Sequence, residues 1–286
     1  MADKPHHCLI DGSGFMHRAK AIAQSRARAS DGLDIGVADL FSKMIAKVAT
    51  RASAGKSPPT HWSVAFDPPR TDSWRRLVCP TYKAHRPEIE EAFKLQVPVM
   101  QECCAAAGYT VLSAPNHEAD DLLAAYAHDA LAQGARVTLI TSDKDLMQMV
   151  RPGVLMWDAR ADVWFTSAAV EEKFGVPPHR VADFLALAGD VADGIPGAKG
   201  IGPKKAAAIL ATGLSLSEVL ADPSRLADAK LRALVEANIE PLRLARLLVS
   251  LDIAGCPRPV PLDAMATVYP EGAPARIRAW ARKALA

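Results

Sequence analysis

Three short apolar runs, Cys8-Leu9-Ile10, Ser63-Val64-Ala65-Phe66 and Val137-Thr138-Leu139-Ile140, each give way to an aspartate within a few residues: Asp11, Asp67 and Asp143. Runs of this length bounded by turn residues read as buried strands. Amphipathic spacing predicts helices over about 37–52, 89–107 and 116–133, the last with Asn116 as its N-cap. Further strands are expected at 109–112 and 136–141, and a hairpin at 155–158 with 163–166. The stretch after Asp11 reads as a polar loop, and 68–87 is rich in proline and basic residues and poor in periodicity. Strands alternating with helices predict a mostly parallel, helix-covered α/β sheet over residues 1–166. Beyond Ser167 the pattern is helical only, with candidates at 181–188, 204–211, 216–221 and 226–251. A basic helix, Ala275–Leu285, follows a proline-rich stretch, so 167–286 forms a second, helical subdomain.

In a parallel sheet the strand ends share one edge, where open α/β folds place their sites. Nine acids fall at such places: Asp11, Asp67, Glu118, Asp120, Asp121, Asp143, Asp145, Asp190 and Asp193. Glu118 and Asp121, spaced i, i+3 in a first helical turn, share a face, and Asp190 and Asp193 have the same spacing. Taken singly, each has a bland reading as helix-dipole acid, N-cap or turn. Taken together, so many carboxylates cannot crowd ionised without a counter-charge. All-oxygen ligation selects Mg²⁺ or Mn²⁺ over zinc.

The charge balance sharpens this. Net charge is +2, from 34 Lys and Arg against 32 Asp and Glu. If nine acids are neutralised by metal, 34 basic side chains face 23 acids, a surplus of eleven positive charges that suits a polyanionic substrate. Five cysteines, two of them adjacent and none in C-x-x-C spacing, indicate neither a disulfide framework nor a zinc site. His6 and His7 read as a polar tail. With no signal peptide and no membrane-length apolar stretch, a cytoplasmic, nucleoid-associated protein is expected.

Two basic segments complete the picture. Gly194 to Lys205 (GIPGAKGIGPKK) joins two helices through a glycine-rich hairpin, with Pro203 suited to a first helical position. Such a turn exposes backbone N–H groups at a helix N-terminus, an anion site for a DNA phosphate. Gly197, Lys199, Gly200, Gly202, Lys204 and Lys205 are its candidate DNA contacts. The other segment carries Arg70, Arg75, Arg76, Tyr82, Lys83, His85 and Arg86, and could grip a single strand or polarise a phosphate.

In order and content these motifs resemble the 5′ nuclease family, the flap endonucleases and the 5′→3′ exonuclease domain of bacterial DNA polymerase I. The likeness runs from about Leu9 to Leu251, through Leu9-Ile10-Asp11-Gly12, Val64-Ala65-Phe66-Asp67, Tyr82-Lys83-Ala84-His85-Arg86, Glu118-Ala119-Asp120-Asp121, Thr141-Ser142-Asp143-Lys144-Asp145 and Gly189-Asp190 through Gly202. The resemblance implies a PIN-like nuclease fold with a helical arch (about 68–107) and a helix–hairpin–helix motif (about 184–212) gripping duplex DNA. It implies a Mg²⁺-dependent 5′→3′ exonuclease or 5′-flap endonuclease, using two ions. Asp11, Asp67, Glu118 and Asp120 would hold one, with Asp121 a further candidate; Asp143, Asp145, Asp190 and Asp193 would hold the other. Lys83 and Arg86 would contact the scissile phosphate, with Arg75, Arg76 and Tyr82 as further DNA contacts, and the hairpin would hold a monovalent cation such as K⁺. Met16-His17 stands where many members carry a tyrosine. The expected partner is DNA with a 5′ flap, nick or overhang; a stand-alone monomer with no membrane or obligate protein partner is expected. Two alternatives remain. A PIN-type ribonuclease would have no need of the hairpin or the basic segment, and a non-catalytic DNA-junction binder would have no need of all nine acids.

Overall fold

The computed structural model describes residues 4–29, 36–54 and 58–265. Strand β1 (His6–Asp11) is followed by α1 (Gly12–Ala29), α2 (Val37–Ser53), β2 (His61–Ala65), α3 (Trp74–Val78), α4 (Glu91–Lys94), α5 (Gln96–Ala106) and β3 (Thr110–Leu112). Then come α6 (Ala119–Ala132), β4 (Arg136–Ile140) and the hairpin β5 (Val154–Asp158) and β6 (Val163–Phe165). The six strands lie in the order β3-β2-β1-β4-β5-β6, all parallel except β6. Chain order reverses between β1 and β4, which makes their carboxyl ends the switch point of the sheet.

Alternation along the strands divides the core between two faces. Cys8, Ile10, Trp62, Val64 and Ile140 pack with Phe15 of α1, Phe41 and Ile45 of α2 and Met100 of α5. Leu9, Ala65, Val137 and Leu139 pack on the other face with Leu122, Leu123 and Tyr126 of α6. That second core continues into helices α7 (Ser167–Phe174), α8 (Val181–Ala188), α9 (Pro203–Leu210), α10 (Leu216–Ala221), α11 (Ala229–Glu236) and α12 (Ile239–Val249). The helical part therefore leans on the sheet through shared apolar side chains.

Four local expectations change. The segment after Asp11 is α1, a helix rather than a polar loop; Phe15, Met16, Ala19 and Ala23 recur at helical spacing and are buried. The helix over 89–107 is broken at Leu95 into α4 and α5. The one over 226–251 is broken into α11 and α12 at Asn238, whose side-chain nitrogen donates to the Leu234 carbonyl (2.7 Å). Asn116 sits at φ 65°, and Glu118 caps α6 instead, in a reciprocal capping box with Asp121. The proposed helix Ala275–Leu285 lies outside the described residues. Among those described, no helix is long and apolar enough to cross a membrane.

Candidate active site

The switch point is lined with carboxylates. Asp11 ends β1; one oxygen accepts from the Gly14 N–H (2.7 Å) and the other from the Thr141 hydroxyl at the end of β4 (2.9 Å). A Cβ on Gly14 would lie 2.4 Å from Asp11 Oδ2, so only glycine lets α1 start this close to the acid. After β2, Asp67 accepts from the Ala119 N–H (2.7 Å), pinning its loop to the first turn of α6 beside Asp120. Burial pushes the Asp11 carboxyl up to about 7, and repulsion from Asp67 and Asp143 outweighs part of what the Gly14 and Thr141 hydrogen bonds restore. Asp120 rises well above the carboxylate range, through burial first and then through Asp143 and Asp11.

A second cluster adjoins it. Asp143 caps the short 3-10 turn Lys144–Met149 by accepting from the Asp145 N–H (2.9 Å). Asp190 and Asp193 sit on a tight turn closed by paired backbone hydrogen bonds between Asp190 and Ile195 (2.7 and 2.8 Å). One oxygen each of Asp145, Asp190 and Asp193 lie within 4.8 Å of one another, all three residues buried. Asp145 Oδ1 is buried with no hydrogen-bond partner. Burial, then repulsion from Asp143, raises its pKa well above the ordinary range. Three converging carboxylates with an orphaned oxygen fit a hard divalent cation, which would supply the missing charge. Lys144 reaches the same cluster, its ammonium 2.5 Å from Asp190 Oδ2 and 3.7 Å from Asp145 Oδ1.

The basic segment folds down onto these acids rather than standing clear. Arg75 is 2 % exposed and gives two 2.8 Å hydrogen bonds to Asp121, one to Glu118 (3.2 Å), and others to the carbonyls of Leu248 and Ser250. Asp121 also accepts from Trp74 Nε1 and from the backbone N–H groups of Asp252 and Glu118. Burial alone would raise the Asp121 pKa, but Arg75 holds it below the ordinary range. Asp121 is thus a fully satisfied anchor with no oxygen to offer a metal, and the ligand expectation for it gives way. Arg75 gives way as a DNA contact, because every guanidinium nitrogen is already committed inside the protein. Tyr82, 2 % exposed, likewise turns inward and donates to Glu118 (3.1 Å) and Asp193 (3.0 Å).

Lys83 and Arg86 meet the acids from the same loop. Lys83 Nζ lies 3.1 Å from Glu118 and 3.6 Å from Asp193, and Arg86 Nη2 lies 2.6 Å from Asp193. Burial would lower the Lys83 pKa, but Glu118 and Asp193 outweigh it and raise it, keeping the ammonium charged. Its backbone holds φ 52°, a strained conformation fixed by the Lys83 N–H donating to the Asp193 carbonyl (2.9 Å). Arg76 is half-buried and His85 exposed on this segment, while His17 on α1 packs against Phe93 with centroids 5.7 Å apart.

The glycine-rich hairpin continues directly from the Asp190–Asp193 turn, its Ile195 paired with the Asp190 backbone. Lys199, Gly200, Gly202, Lys204 and Lys205 are exposed around the start of α9, and no side chain caps that N-terminus. Gly197 is buried instead, at φ 67°, where a Cβ would lie 2.4 Å from the Gly189 nitrogen. It serves packing, so the DNA contact expected of it gives way. Asn238 braces the turn by accepting from the Lys199 N–H (3.0 Å). Lys205 Nζ donates to the Gly200 carbonyl (2.8 Å). Sequence reasoning gave Thr141, Lys144 and Asn238 no role. The first two lie inside a quoted acidic motif, which was the available signal; Asn238 had none.

Family models match residues 6–271: the 5′-3′ exonuclease N-terminal resolvase-like domain over residues 6–175 and the 5′-3′ exonuclease C-terminal SAM fold over 176–271. A DNA polymerase I of Rhizobium leguminosarum is 38% identical over 94% of this chain, which spans only 26% of that relative. A 5′-3′ exonuclease of Aquifex aeolicus is 33% identical, covering 86% of this chain and 82% of its own. A flap endonuclease Xni of Shewanella sediminis is 33% identical, covering 85% and 90%. Among solved structures, T5 5′-exonuclease with bound zinc ions shares the fold at 20% identity and TM-score 0.70, covering 97% of this chain and 98% of that one. The catalytic core of Rad2 in complex with DNA substrate shares it at 12% identity and TM-score 0.56, covering 98% and 88%.

Proposed function

The chain belongs to the 5′-3′ exonuclease family, a family of phosphodiester hydrolases, and on that premise we propose that it is a Mg²⁺-dependent, two-ion nuclease acting on DNA with a 5′ flap, nick or overhang. The observation that carries the reading is one set of buried carboxylates, three with raised pKa values and one with an orphaned oxygen, directly beneath Lys83. Asp11, Asp67, Glu118 and Asp120 would hold one ion, and Asp143, Asp145, Asp190 and Asp193 the other. Bound Mg²⁺ supplies an activated water and charge neutralisation at the reacting phosphate.

The chain's own residues do the rest. Thr141 and Gly14 orient Asp11, and Ser13 steadies the Asp67 loop through a 2.8 Å bond to the Asp67 N–H. Arg75 and Asp121 lock the first turn of α6 so that Glu118 and Asp120 stay aimed at the edge of the sheet. Lys83 and Arg86, released from Glu118 and Asp193 as substrate enters, place positive charge on the scissile phosphate. The exposed hairpin, with Lys199, Lys204 and Lys205, holds duplex phosphates without reading sequence. Its backbone carbonyls would take a monovalent cation such as K⁺, and the site would be served by a monomer in the cytoplasm, at the nucleoid.

The test is cleavage of 5′-flap, nicked, blunt and single-stranded substrates, as DNA and as RNA, with Mg²⁺ and with chelator. Flapped or nicked DNA should be cut only with Mg²⁺. Asp143→Ala should abolish cleavage yet still bind flapped duplex, because phosphate contacts elsewhere supply affinity. Cleavage by Asp143→Ala within a few-fold of wild type would overturn the two-ion reading.

A further inference from the structure

Lys144 stands between two acids in sequence, Asp143 and Asp145, and against a third in space. Its ammonium lies 2.5 Å from Asp190 Oδ2 and 3.7 Å from Asp145 Oδ1. The other oxygen of Asp190 accepts from the Ala192 N–H (3.0 Å), so Oδ2 is the oxygen that Asp190 can offer a ligand, and Lys144 is on it. Asp193 is held differently, with Arg86 on Oδ1 and Tyr82 on Oδ2. Asp145 Oδ1 keeps no hydrogen bond at all. One ammonium therefore lies between two carboxylates and hydrogen-bonds only one of them.

The cations around this cluster are tethered in two ways. Lys83 and Arg86 belong to the basic segment and, on the reading above, leave the acids as substrate enters. Lys144 has no such freedom. It opens the 3-10 turn Lys144–Met149, which Asp143 caps and whose Leu146, Met147 and Met149 are buried in the core. Its side chain is nonetheless 32 % exposed, against 3 % for that of Asp190, so the ammonium can swing off Asp190 without disturbing the fold. We propose that Lys144 is the resident counter-ion of the second ion's site: a divalent ion enters by exchange with its ammonium on Asp190 Oδ2, and that exchange sets how tightly the site holds the ion. The proposal rests on the two-ion reading. Two cations at one carboxylate oxygen repel each other, so the ion's affinity is lowered by whatever the lysine pair contributes. Without metal, the same pair offsets part of the repulsion among buried acids.

The experiment measures Mn²⁺ binding to the intact protein by calorimetry without DNA, and thermal unfolding in chelator and in Mn²⁺. Lys144→Met keeps the stem and removes the charge; Lys144→Arg keeps the charge. Lys144→Met should bind one of two ions about tenfold tighter and the other much as wild type does, while Lys144→Arg stays close to wild type. In chelator Lys144→Met should melt about 2–4 °C below wild type, and saturating Mn²⁺ should close that gap. Should Lys144→Met fail to fold in chelator, Lys144→Gln, which retains a donor for Asp190, is measured in the same way. Mn²⁺ binding no tighter in the charge-free variant than in wild type overturns the proposal, because it denies the exchange. A chelator melting temperature at or above that of wild type also overturns it, because it denies the counter-charge. If neither wild type nor variant binds Mn²⁺, the two-ion reading falls and the proposal with it; if both bind two ions alike, the proposal falls alone.

Discussion

The acids of this site divide into two groups only a few residues apart. Glu118, Asp121 and Asp193 are saturated by the protein's own donors, Arg75, Tyr82, Lys83 and Arg86. Among the described residues no cationic side chain hydrogen-bonds to Asp11, Asp120 or Asp145, and desolvation leaves them reluctant to ionise. Desolvating a carboxylate costs several kcal/mol unless charge or hydrogen bonds offset it. The first group meets that cost with the fold's own donors, which on the proposed reading yield Glu118 and Asp193 as substrate enters; the second would be offset only by a bound cation. Asp120 and Asp121, adjacent in sequence, fall on opposite sides of the division, so neighbouring acids of the same type have different work.

The sharpest break of this comparison exchanges the two neighbours' charges one at a time. Asp120→Asn should lower Mg²⁺-dependent cleavage by roughly a thousandfold or more while metal-free stability holds or rises, because an uncompensated charge is removed. Asp121→Asn should cost about 3–5 kcal/mol in denaturant unfolding, because it strands the buried Arg75. Were the two variants to show the same balance of lost activity and lost stability, the division would be false.

Lys83 bridges the groups, neutralising Glu118 in the structure and, on the proposed reading, the phosphate during reaction. Lys83→Ala should reduce the single-turnover rate by roughly two to three orders of magnitude with flap affinity little changed. A pure loss of affinity would make it a gripping residue.

A smaller effect is the response to pH without metal. The Asp11 pKa rises from its ordinary 3.8 to about 7 on folding, so between those values the folded state holds more protons than the unfolded one. Stability contributed by this group is therefore lost as pH rises through that window. His7, pushed down to about 4 by burial, pulls the other way, so the measurement is the difference from Asp11→Asn. In chelator, wild type should lose melting temperature relative to that variant between pH 5 and about pH 8, and Mn²⁺ should erase the loss. Parallel melting curves at all pH values would contradict the assignment.

The hairpin provides the mildest test, because its lysines are solvated and its charge is spread. Lys204→Ala with Lys205→Ala should weaken duplex binding and flatten its salt slope by at most about two counterions' worth, leaving single strands nearly unaffected. Equal losses for both substrates would remove the hairpin from the duplex-binding role.

Some of this was legible along the chain. Short apolar runs followed closely by aspartates are enough to place strand ends, because a parallel strand must bury both faces and its loop need not. The hairpin β5–β6 and helices α8 and α10 follow from local patterning for the same reason: their periodicity and caps are contained within a few residues. The acids of the site could be gathered because the topology of a parallel sheet sends every such loop to one edge. What lay beyond local reading were the partners. Arg75 and Tyr82 sit in a segment whose composition is that of a solvated basic loop, yet their acceptors are Glu118, Asp121 and Asp193, between 36 and 111 residues away. The same distance hides why Asp121 is satisfied and Asp145 is not, and why a helix expected over 226–251 breaks where Asn238 turns to brace Lys199. A residue's type and spacing carry its intrinsic chemistry; whether a carboxylate ends up neutralised or poised depends on which distant donor folding brings against it.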